Sequence, residues 1–176
     1  QVRGEIFLQA LVLAWQKDLT LARPVRQAAV PWEILEKEAG DRGSYLLVLR
    51  LARPVKEVVG SLGEIAFAAG YYVYVGTAAK GLAKRIYRHL RRAVPRRWHI
   101  DYLKTHADRL LALPVRASDR LEHELAGAVG TIAQGCVASF GSSDCDCPGH
   151  LFYFAEDPLR QESFLRLLLE FRIDRL

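Results

Sequence analysis

Residue types that can act on a phosphate group are concentrated in GYYVYVGTAAKGLAKRIYRHL, residues 70–90. Tyrosines come first, on a predicted strand, and Arg85, Arg88 and His89 follow on a predicted helix. A guanidinium group can bind two phosphate oxygens, and an imidazole can bind phosphate or transfer a proton. Cleaving a phosphodiester also needs an activated oxygen nucleophile and stabilisation of the charge that builds on the phosphate. Packing alone does not require this mixture, which is typical of a site that acts on phosphodiesters.

Basic residues continue beyond this helix. From Lys80 to Arg97, eight lysines and arginines lie within eighteen residues that contain no acid, although the net charge of the whole chain is only +5. Such a block is either a solvated helix face or, with aromatic residues interleaved, a surface for nucleic acid. We predict nucleic-acid contacts from Lys80, Lys84, Arg88, Arg92, Arg96, Arg97 and Trp98.

The strands that must position these side chains follow from the hydrophobic pattern. The apolar run SYLLVLRLA, residues 44–52, predicts one strand, and KEVVGSLGEIAFAAG predicts a hairpin-like pair broken at Gly60 and Gly63. GYYVYVG predicts a further strand. Because side chains alternate along a strand, Tyr72 and Tyr74 should share one face. We therefore expect an α/β fold with a small mixed or antiparallel sheet flanked by helices.

The predicted helix after residue 80 has an apolar stripe and a basic stripe. Arg85 and His89 are neighbours one turn apart, with His89 at the border of the apolar stripe. Lys80 precedes the helix, near its positive N-terminus, where a phosphate contact is favoured. The expected buried stripe consists of Leu82, Ile86, Leu90 and Ala93.

The order of these elements carries a family resemblance. GSY at residues 43–45 and YVG at 74–76, each on a predicted strand, precede Arg85 and His89 on the next helix. This order resembles the GIY-YIG endonuclease superfamily, which has Gly-x-Tyr, Tyr-x-Gly, an Arg-x-x-x-His helix and a glutamate on a later helix. That glutamate corresponds to Glu122 in SDRLEHELAGAV.

Leu121 and Leu125 give Glu122 the apolar neighbours that are usual for the superfamily glutamate. Glu124, on a different helical face, is the alternative candidate for that glutamate. The chain is more similar still to a poorly characterised branch, a domain of unknown function, in VGSLG, FAAGYYVYVGTA, RWHIDYL and FGSSDCDCPGHLFYF. The chain departs from the superfamily signature at Ser44, where an isoleucine is usual, and in a longer gap between the two signature tyrosines. Neither departure removes a reactive group.

The resemblance implies a metal-dependent endonuclease that cleaves DNA, or RNA, in repair or processing. Tyr45 would accept a proton from water, and Tyr74 would orient water or bind a phosphate oxygen. Arg85 would bind the phosphate, and His89 would bind it or transfer a proton. Glu122 would hold one Mg²⁺ or Mn²⁺.

We expect these five side chains to converge on one solvent-open hollow. Because an unperturbed tyrosine has a pKa of about 10, we also expect a neighbouring cation such as Arg85 to lower the pKa of Tyr45. The alternatives are a non-catalytic nucleic-acid-binding module on the same fold and a structural or interaction domain.

The RWHIDYL segment allows two interpretations. The first is an N-terminal helix turn or a strand anchored by Trp98. The second is a wall of the active cleft, in which Trp98 or Tyr102 stacks on a base.

The three cysteines lie late in the chain. Their odd number is atypical of a disulfide framework and favours a reducing compartment, so we expect a cytoplasmic protein. Cys145, Cys147 and His150 are spaced to supply three ligands to Zn²⁺, with Cys136 or His99 as the fourth. Buried thiols in a tight turn are an equally good interpretation.

Three segments are predicted along the chain. Residues 1–40 form a helical extension or the remnant of a neighbouring domain, residues 43–157 the nuclease-like domain, and residues 158–176 a C-terminal helix. That helix caps the core through Phe164 and its apolar neighbours, or forms a homodimer contact. No apolar run is long enough to span a bilayer, so no membrane partner is expected. Because the sequence contains no methionine, we expect a processed chain or part of a longer protein.

Overall fold

A computed structural model describes residues 41–91, 94–117 and 121–174. The extension predicted for residues 1–40 lies outside these ranges, as does Arg92, one of the predicted nucleic-acid contacts.

The described ranges contain seven strands and four α-helices. The strands are β1 Gly43–Leu51, β2 Val55–Val58, β3 Glu64–Phe67, β4 Gly70–Ala78, β5 Arg109–Arg116, β6 Gly135–Val137 and β7 Leu151–Phe154. The helices are α1 Leu82–Leu90, α2 His99–Leu103, α3 Glu122–Ile132 and α4 Glu162–Leu169. Short 3₁₀ turns occupy Gly60–Leu62 and Pro158–Arg160, and a π-helical turn Glu170–Asp174 follows α4.

Five strands form one sheet in the order β5-β1-β4-β7-β6, and β2 and β3 form a separate hairpin. Every neighbouring pair is antiparallel. The expected α/β fold with a small antiparallel sheet is therefore confirmed, as is the hairpin broken by Gly60 and Gly63. The register of β1 on β4 sets Tyr45 opposite Gly76 and Leu47 opposite Tyr74.

The two faces of the sheet bury different sets of side chains, because successive residues of a strand point to opposite sides. One face packs against α3 and α4 and includes Leu46 and Val75. The other packs against α1, α2 and the hairpin and includes Tyr45, Tyr72 and Tyr74. The predicted tyrosine face is confirmed. Because Ser44 precedes Tyr45 on the strand, its side chain points away from the tyrosine face.

Helix α1 buries part of the predicted stripe: Leu82 and Ile86 pack in the core, Leu90 does not, and Ala93 lies outside the described residues. It ends at Leu90, which is 43% exposed, while His89 is only 1% exposed. Leu82 is buried as predicted, and His89 lies seven residues after it, two turns further along the same face. His89 is therefore a core residue rather than a border residue, because its ring has a hydrogen-bonding partner inside the protein.

The start of α1 is capped from a distant part of the chain. Asp41 accepts hydrogen bonds from the N–H of Leu82 through its carbonyl oxygen (3.0 Å) and from the N–H of Ala83 through its side chain (2.9 Å). These donors would otherwise be open to an anion. A phosphate near Lys80 would therefore interact mainly with the charge of the lysine side chain and not with these N–H groups.

A buried carboxylate joins α2 to α1. Asp101 accepts two hydrogen bonds from Arg88, at 3.0 and 2.9 Å, and its carboxylate lies 3.1 Å from Lys104 Nζ. The N–H groups of Arg97 and Trp98 donate to it as well. Burial raises the pKa of this carboxyl, but these hydrogen bonds outweigh that effect and hold the pKa well below its ordinary value. RWHIDYL is thus the start of a helix, the first of its two interpretations.

The C-terminal segment packs on the sheet as predicted. Phe164, Leu168 and Phe171 are buried in the same core as the α3 face of the sheet. Among the described residues, none of the helices combines the length and the hydropathy that a membrane span requires.

Candidate active site and an adjacent cysteine–histidine cluster

Tyr45 and His89 are in direct contact. The phenol oxygen of Tyr45 lies 2.9 Å from Nε2 of His89. Nδ1 of the same ring has no hydrogen-bond partner in the described part of the chain, and the Asp101 carboxylate lies 4.0 Å from it. We assign the ring proton to Nδ1, on the side of that carboxylate. Nε2 is then the acceptor, and the Tyr45 hydroxyl donates to it. Sequence analysis did not predict Asp101 as a member of this site.

Gly76 makes room for the Tyr45 ring. A Cβ atom at Gly76 would lie 2.5 Å from both Cζ and the hydroxyl oxygen of Tyr45. Gly76 lies inside β4, not at its exit, and pairs directly with Tyr45. The glycine of YVG is therefore required by the aromatic ring across from it.

The other three predicted residues surround this pair. The rings of Tyr74 and Tyr45 have centroids 6.5 Å apart. Arg85 donates to the Thr77 carbonyl at 2.9 Å, and its charge acts to lower the pKa of Tyr45. Glu122, the first residue of α3, is partly exposed, and its charge acts on both phenols.

The two phenols are more buried than expected. Tyr45 is 2% exposed and Tyr74 is 7% exposed, so they do not line a solvent-open hollow; Arg85 and Glu122 supply the accessible side of the site. Burial raises the pKa of both phenols above the ordinary value, and for Tyr45 it outweighs the lowering by Arg85. The expectation of a lowered pKa for Tyr45 is therefore wrong for this state of the protein.

His89 is neutral at pH 7. Burial, followed by the charge of Lys104, lowers its pKa to about 4, although Asp101 raises it. A neutral imidazole next to a protonated phenol can accept the phenol proton, while Asp101 would stabilise the imidazolium formed. Tyr45 and His89 are therefore in position for proton transfer, and Asp101 lies 4.0 Å from the other ring nitrogen.

The lowered pKa of His89 predicts a pH-dependent stability. The unfolded chain protonates this histidine near pH 6.5 and the folded chain near pH 4, so the unfolded state binds more protons between these values. The free energy of unfolding should therefore fall as the pH falls from about 6.5 to about 4, by about 3 kcal/mol in total from this group. Urea denaturation at several pH values measures this change in the free energy of unfolding. His89→Gln should lose this component, and a variant with an unchanged pH profile would contradict the assignment.

The predicted nucleic-acid contacts differ in how available they are. Lys80, Lys84 and Arg97 are exposed. Arg96 is exposed as well, but it pairs with Glu57 at 3.2 Å. These cations lie along the same side of the protein as α1 and the start of α2.

Arg88 and Trp98 have structural partners. The Arg88 guanidinium is held by Asp101 and also donates to the Pro95 carbonyl at 2.9 Å. The Trp98 ring is partly buried, with the guanidinium carbons of Arg88, Arg85 and Arg97 at 4.2, 5.1 and 5.2 Å from its centroid. Because arginine side chains already contact this ring, Trp98 is better placed to anchor the start of α2 than to stack on a nucleic-acid base.

A cysteine–histidine cluster lies beside Glu122. The ligand atoms of His123, Cys145, Cys147 and His150 all lie within 4.8 Å of one another. The cluster could hold a metal ion, and its nitrogen and sulfur donors suit zinc better than magnesium. His150 Nδ1 is 3.5 Å from a Glu122 carboxylate oxygen.

The fourth member of this cluster was not the one predicted. Cys136 is exposed on β6, and His99 accepts a hydrogen bond from the N–H of Gly141 at 3.0 Å; neither belongs to the cluster. His123 does. The only signal for it in the sequence is its position next to Glu122, on the first turn of the same helix.

Comparisons with known proteins agree with the extent of this fold. A search of curated proteins and a search of solved structures found no match. A family model described as "Domain of unknown function DUF123" matches residues 44–172, from β1 through α4. The matched segment includes the tyrosine strands, α1, Glu122 and the cysteine–histidine cluster. The chain therefore belongs to the DUF123 family.

Proposed function

We propose that this domain is a GIY-YIG-type endonuclease that hydrolyses phosphodiester bonds in DNA with the help of Mg²⁺ or Mn²⁺. The observation that carries the proposal is the hydrogen bond between Tyr45 and His89, with the Arg85 charge close enough to act on the same phenol. A base, its proton acceptor and a phosphate-binding cation are thus adjacent.

Tyr45 acts as the proton acceptor for water through His89. As the phenol takes a proton from the attacking water, its own proton passes to Nε2 of His89, which is neutral and already in hydrogen-bonding contact. No free phenolate needs to accumulate, which is consistent with the raised pKa of Tyr45. His89 is too buried to bind the phosphate itself and transfers the proton.

Arg85 binds the phosphate. Its guanidinium is oriented by the Thr77 carbonyl and by the Trp98 ring. N–H groups that point away from those partners can stabilise the charge that builds on the phosphate oxygens. Tyr74 lies beside Tyr45 and would orient the water or bind a phosphate oxygen.

Glu122 fits a hard divalent ion. Its carboxylate is partly exposed and lies close enough to both phenols to affect their pKa. Because Mg²⁺ keeps several of its waters, one carboxylate and the substrate phosphate suffice to hold it. The bound ion would supply neutralisation of phosphate charge.

Supercoiled plasmid tests the proposal. The full chain should nick it in the presence of Mg²⁺ or Mn²⁺ and not in the presence of EDTA. Binding should weaken steeply with salt, with a slope in log affinity against log salt of about −0.9 for each neutralised phosphate. Lys84→Ala should reduce the magnitude of that slope by about 0.9. Arg160→Ala is the control and should leave the slope unchanged, because Arg160 follows Leu159, which packs on the face of the sheet away from α1.

A non-catalytic nucleic-acid-binding module is the second candidate, and the burial of both phenols favours it. Salt-dependent binding without nicking under any divalent ion would support that candidate and contradict the endonuclease. Absence of binding at low salt would instead support a structural or interaction domain.

A further inference from the structure

We infer that His123, Cys145, Cys147 and His150 bind one Zn²⁺ ion in a tetrahedral site. This site is distinct from the divalent-ion site proposed at Glu122, and it does not depend on nuclease activity.

The distances within the cluster are close to those of a zinc centre. Zn–S bonds of about 2.3 Å and Zn–N bonds of about 2.0–2.1 Å place tetrahedral ligand atoms about 3.3–3.8 Å apart. Nδ1 of His123 is 3.2 Å from Sγ of Cys147, and Nε2 of His150 is 3.5 Å from Sγ of Cys145. The largest separation in the set, at most 4.8 Å, needs a contraction of about 1–1.5 Å to fit that geometry.

Backbone hydrogen bonds fix the positions of the ligand residues. The N–H of His150 donates to the Phe140 carbonyl at 2.8 Å, and its own carbonyl accepts from Val75 of β4 at 2.9 Å. The N–H of Cys145 donates to the Ser142 carbonyl at 3.4 Å. These hydrogen bonds therefore fix His150 to the sheet, and the loop before it brings Cys145 and Cys147 close to the His150 side chain. His123 is supplied separately, by the first turn of α3.

His150 provides an independent observation that points to a metal. Its side chain is 1% exposed, yet Nδ1 has no hydrogen-bond partner at bonding distance. Nδ1 faces Glu122 at 3.5 Å while Nε2 faces the cluster. A histidine that binds zinc through one nitrogen commonly donates the other N–H to a carboxylate. A small approach of Glu122 would complete this pattern.

The ligand chemistry and the position of the site define its role. Two thiolates and two neutral imidazoles match the charge and softness of zinc, whereas Mg²⁺ and Ca²⁺ prefer oxygen ligands. The ion would connect the first turn of α3 to the loop between β6 and β7. Because Glu122 is on that turn, the zinc would also hold the proposed catalytic carboxylate against the tyrosine strands.

Metal analysis of the purified full chain, kept reduced, tests the inference. We expect one zinc per chain. Cys147→Ser and His123→Ala should each reduce this value to near zero, and Cys136→Ser should leave it at one, because Cys136 lies outside the cluster. Retention of zinc by the first two variants, or its loss in Cys136→Ser, would overturn the assignment.

Cobalt substitution provides a readout that does not depend on whether the variants fold. Wild-type protein loaded with Co²⁺ should show the intense visible bands of a tetrahedral thiolate complex. Absence of these bands would overturn the inference. It would also be overturned if metal analysis found iron in place of zinc, or if a Cys145–Cys147 disulfide persisted under reducing conditions. A zinc-loaded protein that does not nick DNA would count against the proposed endonuclease alone.

Discussion

Replacing Glu122 by glutamine should reduce metal-dependent nicking by about 10³-fold, equivalent to about 4 kcal/mol of transition-state stabilisation. Glutamine has nearly the shape of glutamate and keeps an oxygen that can accept from His150, but it lacks the charge that binds a divalent cation. Plasmid nicking measured against Mn²⁺ concentration, together with DNA affinity, checks this result. The affinity should change little, because the basic residues that contact DNA remain.

Glu124→Gln is the matched control for this variant. Glu124 lies two residues further along α3 and is exposed, so its substitution changes the net charge equally. We expect it to nick at the wild-type rate. Equal loss of nicking and DNA affinity in Glu122→Gln, or equal loss of nicking in the two variants, would contradict the metal-binding role of Glu122.

Tyr45→Phe should reduce nicking by about 10²- to 10⁴-fold, the range that general base catalysis contributes. The ring continues to fill the space over Gly76, so the fold is retained. Loss of the hydroxyl leaves Nε2 of the buried His89 without its donor, which should cost about 1–3 kcal/mol of stability. Single-turnover nicking and urea denaturation measure the two effects separately.

Tyr72→Phe is the control for that substitution. Tyr72 lies on the same face of the sheet, and its hydroxyl donates to the Ala68 carbonyl at 3.0 Å, away from His89. It should lose a similar amount of stability and keep its nicking rate. If Tyr45→Phe nicks as fast as Tyr72→Phe, the phenol is not the base.

The sequence predicted the strands that carry the site, because strand periodicity is a local property. Alternation along residues 70–76 placed Tyr72 and Tyr74 on one face, and the structure confirms it. Periodicity was wrong for one position of α1. Apolar spacing predicted that Leu90 is in the core. His89 is buried instead, because its ring forms a hydrogen bond with the Tyr45 hydroxyl. Spacing alone does not reveal a hydrogen bond formed across 44 residues of sequence.

The family resemblance that the residue order carries was enough to propose Tyr45, Tyr74, Arg85, His89 and Glu122 as one site. Only the tertiary structure decided the electrostatics of that site. The pKa of Tyr45 depends on the balance between burial and Arg85, and burial is a property of the packed protein. The membership of His123 in the cysteine–histidine cluster depended on the fold in the same way. The turn that carries His123 meets the loop of Cys145 and Cys147 only after the sheet and α3 have packed together.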